Sequence, residues 1–108
     1  MITPQSFTTR TLAHHPQGEA VTRILCAAIR AVEPGAAVRK FVQRKGQSLL
    51  IDGREIHLDK SGRILLLGLG KAAHAMTLPL VEHLADFSPR GLLIPKQTFP
   101  PPWAGCEV

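Results

Sequence analysis

The chain has no tyrosine, one tryptophan, and eight carboxylates against thirteen lysines and arginines. Nucleic-acid surfaces interleave aromatics with basic residues, and that pattern is missing here, so the net charge of +5 does not by itself mark one. The cluster Arg39, Lys40, Arg44 and Lys45 is read as a solvated helix face, and no nucleic-acid partner is expected. No apolar run approaches the roughly 20 residues that a membrane span requires. The N-terminal stretch holds no continuous apolar segment with a cleavage site, so no secretory signal is visible either. The two cysteines, Cys26 and Cys106, have no metal-ligand spacing, which suits unpaired thiols in a reducing cytoplasm. A length of 108 residues leaves room for one small domain.

What the chain does have is concentrated between Arg63 and Met76. The apolar run Ile64-Leu65-Leu66-Leu67 ends at glycines and passes into the small, helix-forming segment Ala72-Ala73-His74-Ala75. A short Ile/Leu run over 63–67 predicts a parallel strand covered on both faces. Gly68 and Gly70 then allow a tight turn, and the helix start offers free N–H groups and the positive end of the peptide dipole. Lys71 adds an ammonium at that place. Gly68, Gly70, Lys71 and Ala72 therefore form a candidate substrate- or phosphate-binding loop.

Two known loops compete for these residues. A Walker A loop is excluded, because Leu65 stands where its first glycine belongs and Ala72 where its hydroxyl residue belongs. Gly68, Gly70 and Ala73 satisfy the dinucleotide pattern G-x-G-x-x-G/A. The carboxylate that should end the next strand and hold a ribose is missing, however: the strand 92–94 runs into Pro95 and Lys96. A basic residue there suits a 2′-phosphate, so an NADP-binding domain of a reductase stays open as an alternative. A tight strand–helix turn with no ligand is the plainest alternative.

Along the rest of the chain, residues 1–18 are polar, aperiodic and proline-containing, and are read as a flexible arm. Val21, Ile24, Leu25, Ala28 and Val32 predict an amphipathic helix over 19–32 that Pro34 ends. A short second helix to about residue 43 should turn Val38, Phe41 and Val42 inward. Asp52-Gly53, between two short strands, signals a type I′ hairpin. Met76, Leu80 and Leu84 continue an inward stripe beyond Ala72, interrupted by Pro79, which should kink the helix. The proline run 100–102 reads as a rigid connector, and residues 106–108 as the start of another strand. The expected fold is α/β: a Rossmann-like β-α-β unit with parallel strands, preceded by two helices and a β-hairpin. Residues 19–108 are read as an incomplete domain, because so few strands and helices cannot cover a parallel sheet on both faces.

Residues from about 20 to 108 resemble the amino-terminal part of the glycerate 2-kinases, the family whose members also carry a carboxy-terminal MOFRL domain. The resemblance rests on pieces in order: Ala27-Ala28-Ile29-Arg30-Ala31-Val32-Glu33-Pro34, then Val38-Arg39-Lys40-Phe41-Val42, then Ile64 to Met76 with its G-x-G-K-A core, then Gly91-Leu92-Leu93-Ile94-Pro95-Lys96. It implies ATP-dependent phosphoryl transfer to the 2-hydroxyl of glycerate with a divalent cation such as Mg²⁺, by a protein several times longer. It makes Lys71 the catalytic-site cation. No metal ligand is identifiable, and the residues leave open which anion Lys71 meets. Read so, the chain is an amino-terminal fragment, inactive alone and prone to self-association. A non-catalytic interaction module is the bland alternative.

Overall fold

The computed structural model describes residues 2–108; Met1, the first residue of the expected arm, lies outside them. The chain divides into two compact units, Met1–Glu33 and Pro34–Val108.

In the first unit, the stretch expected to lack regular structure holds a 3-10 turn, Pro4–Phe7, and helix α1, Arg10–His14; α2, Gly18–Ala31, follows. The Thr9 hydroxyl caps α1 by accepting the Leu12 N–H at 3.2 Å. The Arg30 guanidinium ties the segment to α2 by donating to the Ile2 carbonyl at 2.6 and 3.0 Å. Helix α2 sits where its periodicity predicts, yet its buried face is another one. Gly18, Thr22 and Cys26, four residues apart, are buried, whereas Ile24 of the apolar stripe is 68% exposed. The N-terminal turns pack on the small-residue side of α2, where side chains are short enough for a close approach.

The second unit starts with α3, Pro34–Phe41, and three antiparallel strands in the order β1-β2-β3: Val42–Lys45, Ser48–Ile51 and Arg54–His57. Asp52 and Gly53 have φ of 49° and 79°, the two positive angles that a type I′ turn needs. The hairpin gains a third strand because α3 stops at Phe41 and Val42 pairs with Ile51. That early stop corrects one expected core position. Val38 and Val42 are buried with Leu49, but Phe41 is 49% exposed, with the Lys40 ammonium 5.5 Å from its ring centre.

Then comes the parallel sheet, β4-β5-β6: Leu65–Leu69, Arg90–Ile94 and Cys106–Glu107, with α4, Ala73–Leu84, crossing between the first two. The chain is thus a mixed α/β structure built on a parallel β-α-β unit. Leu65 pairs with Arg90 and Leu69 with Ile94. Helix α4 packs on the face that carries Leu66, Gly68 and Leu93, the last only 1% exposed. The proline-rich connector brings Trp103 back over Gly91, where its indole N–H donates to the Pro89 carbonyl at 2.9 Å. The opposite face carries Leu65, Leu67, Leu69, Leu92 and Ile94, all exposed.

Two further expectations shift. Ala73, Thr77 and Leu84 point inward from α4, while Met76 is exposed, because the helix starts only at Ala73 and seats Ala73 and Thr77 over Gly68. Pro79 is fully buried within the same helix. Arg44 lies on β1, not on a helix face. It grips both Asp86 carboxylate oxygens at 2.8 and 3.0 Å and donates to the carbonyls of His83 and Gly46, each at 2.7 Å. The guanidinium holds the Asp86 carboxyl at a pKa of about 2. Arg44 is therefore a structural cation that fastens β1 to the end of α4.

Candidate functional site

The place to look is the carboxyl end of the parallel strands, where open α/β sheets hold their ligands. Gly68, expected within the loop, lies inside β4 on the covered face. A Cβ there would stand 2.5 Å from Leu93 Cδ2 and 3.1 Å from Ala73 Cβ. Its small size serves helix–strand packing.

The turn itself begins at Gly70. Its N–H donates to the Ile94 carbonyl at 2.8 Å, which carries the ladder one step past the Leu69–Ile94 pair. Its φ of +89° then swings the chain into α4, an angle that a side chain would strain. The Ala73 N–H closes back onto the Gly70 carbonyl at 3.2 Å, and the Met76 N–H onto the Ala72 carbonyl at 3.0 Å. Among the described residues, the amides of Lys71 and Ala72 have no backbone partner. They stand at the positive end of α4.

Beside this turn lies a cavity of about 300 Å³ lined by Lys71, His74, Pro95, Lys96, Gln97 and Phe99. His74 and Phe99 meet edge to face, with ring centres 4.4 Å apart at 62°. No carboxylate lines the cavity, and neither lysine enters an ion pair among the described residues. Of the expected loop residues, only Lys71 faces this cavity. Gly70 and Ala72 shape the turn beside it. Sequence reasoning left Gln97 and Phe99 out of the site and considered Lys96 only as a 2′-phosphate partner in the dinucleotide alternative. The available signal was positional: Lys96 stands two residues past β5, as Lys71 stands two past β4. Among the described residues, no group of three or more His, Cys, Asp or Glu side chains is placed to hold a metal ion. No helix of the described residues is long and apolar enough to cross a membrane.

Comparison with known proteins places this turn and cavity in a family. The model of a domain of unknown function, DUF4147, matches residues 20–104. The chain belongs to the DUF4147 family. The matched stretch takes in α2 through the proline-rich connector, and so contains every residue that lines the cavity. No curated protein matches the chain. Among solved structures, the PH0495 protein of Pyrococcus horikoshii OT3 matches with a TM-score of 0.62 and 22% identity, over 99% of this chain and 21% of its own. At that identity the likeness is one of fold. The chain spans about a fifth of the length of that protein.

Proposed function

We propose that this DUF4147 chain supplies the anion-binding turn of a glycerate 2-kinase-type phosphotransferase. The observation that carries the reading is the place of Lys71: at the carboxyl end of β4, at the start of α4, on a cavity without a carboxylate. The resemblance to glycerate 2-kinases, from about residue 20 to 108, overlaps the family match at residues 20–104 and runs through the same turn. ATP and glycerate are the proposed substrates. Phosphoryl transfer depends chiefly on positioning and on neutralising charge, and the chemistry asked of Lys71 is of that kind. Its ammonium holds an anionic oxygen while the amides of Lys71 and Ala72 turn toward the same charge. Mg²⁺ is implied by the resemblance alone, and no residue here is assigned to it. The buried, unpaired thiols of Cys26 and Cys106 support a reducing, cytoplasmic setting.

The test is Lys71→Met in a longer protein that carries this sequence. The fold should survive, since Lys71 is exposed and its stem is matched in bulk. Turnover of ATP and glycerate should fall by about 10²-fold or more if the ammonium meets charge that develops in the transition state. A rise in KM alone would assign it to ground-state binding of substrate. Unchanged kcat and KM for both substrates would overturn the proposal. So would NADPH-dependent reduction in place of phosphoryl transfer, which would make Gly68, Gly70 and Ala73 a dinucleotide fingerprint.

A further inference from the structure

We infer that Lys96 is the second cation of this cavity, and that Lys71 and Lys96 together select a doubly charged phosphate group over a carboxylate. This rests on the anion-binding reading above and specifies which anion Lys71 meets. Strands β4 and β5 are parallel neighbours with Leu69 opposite Ile94, so residues two steps beyond that pair leave the sheet at the same end. Lys71 and Lys96 hold those two places, and both line the one cavity. Neighbouring strands lie about 4.8 Å apart, well within the reach of two lysine stems that converge on a single oxyanion.

The balance of charge decides the class of ligand. Two lysines line about 300 Å³, with no carboxylate in the lining and no ion-pair partner for either among the described residues. The start of α4 adds partial charge of the same sign. A carboxylate would neutralise one ammonium and leave the other repelled. A phosphate dianion neutralises both, and its oxygens suffice for the two ammonium groups together with the free amides of Lys71 and Ala72. Pro95 and the His74–Phe99 edge-to-face pair add apolar surface to the same lining. Apolar surface beside an ion pair lowers the local dielectric and strengthens the charge contacts.

The chain itself can be tested by titrating inorganic phosphate, pyrophosphate and acetate at one pH and ionic strength while following backbone amide resonances. Phosphate and pyrophosphate should shift Lys71, Ala72, His74 and Lys96 saturably, and acetate at the same concentration should not. Lys96→Met should weaken phosphate binding by about tenfold, the loss of one charge-assisted hydrogen bond, and Lys96→Arg should keep most of it. Unshifted resonances for β1–β3 in both variants verify the fold. If Lys96→Met binds phosphate like the parent while Lys71→Met does not, the assignment of Lys96 is overturned and the anion-binding reading stands. Acetate that binds as tightly as phosphate overturns the selection. No saturable shift with any anion, or binding indifferent to Lys71→Met, overturns the anion-binding reading itself.

Discussion

The two three-stranded sheets of the second unit are built on opposite principles. In β1–β3, each strand pairs antiparallel with the next across a tight turn, and the register follows from turn chemistry a few residues away. In β4–β6, the pairs are parallel and bring together residues separated by a helix or by the proline-rich connector. The first sheet mixes polar and apolar residues along each strand, and all four residues of β3 are exposed. The second is nearly all apolar, yet α4 and Trp103 cover only one face of it. Local signals can close a meander, whereas a parallel sheet depends on distant parts of the chain to cover it. The cavity at its carboxyl end arises in the same way, because Lys71 and Lys96 line it together only once β4 and β5 are paired.

The sharpest way to break this contrast is to truncate one leucine on each face of the parallel sheet. Leu93→Ala removes a side chain that is 1% exposed beneath α4; a loss of about 2–5 kcal/mol is expected in urea unfolding. Leu67→Ala on the open face, at 66% exposure, should stay within about 0.5 kcal/mol of the parent. Equal losses would show that the open face is covered in solution.

The glycines separate the sheets more finely. Gly68→Ala should cost about 1–3 kcal/mol, because its Cβ meets Leu93 and Ala73. Gly53→Ala should cost about 1–2 kcal/mol, through its positive φ alone, since nothing lies within 4 Å of a Cβ there. A Gly68→Ala midpoint equal to the parent's would show that α4 stands farther from β4 than the structure places it.

Acid examines the fastening of β1 to the end of α4. The Asp86 carboxyl is depressed to about 2 by Arg44, below an unfolded value of about 3.9. Its contribution to stability is therefore complete above the unfolded value and is lost as pH falls through about 2. Asp86→Asn should flatten that part of the pH–stability curve, and an unchanged curve would remove Asp86 as its source. The smallest effect on folding, and a visible one on assembly, is expected from Leu67→Thr with Leu69→Thr. The open apolar face should make the parent self-associate as concentration rises, and the double variant should reduce this in sedimentation. A parent that is monomeric at high concentration would be the contrary result.

Much of this molecule follows from residues close together in sequence. Asp52-Gly53 determined the hairpin, Pro34 the end of α2, and the Ile64–Leu67 run with the glycines after it a parallel strand entering a helix. These are short-range effects: steric limits on φ, a missing N–H, and the two- or 3.6-residue period of apolar side chains. The tertiary structure decided which side of each element is buried. It chose the small face of α2 over the apolar stripe, turned Phe41 outward when α3 gave way to β1, and set α4 down on Ala73 and Thr77 instead of Met76. It also moved Gly68 from the loop into the strand and brought Lys96 beside Lys71. Those outcomes depend on which backbones approach closely and which strand ends become neighbours. A one-residue change in where an element begins turns a helix by about 100° or flips a strand face, and pairing with distant residues fixes that beginning.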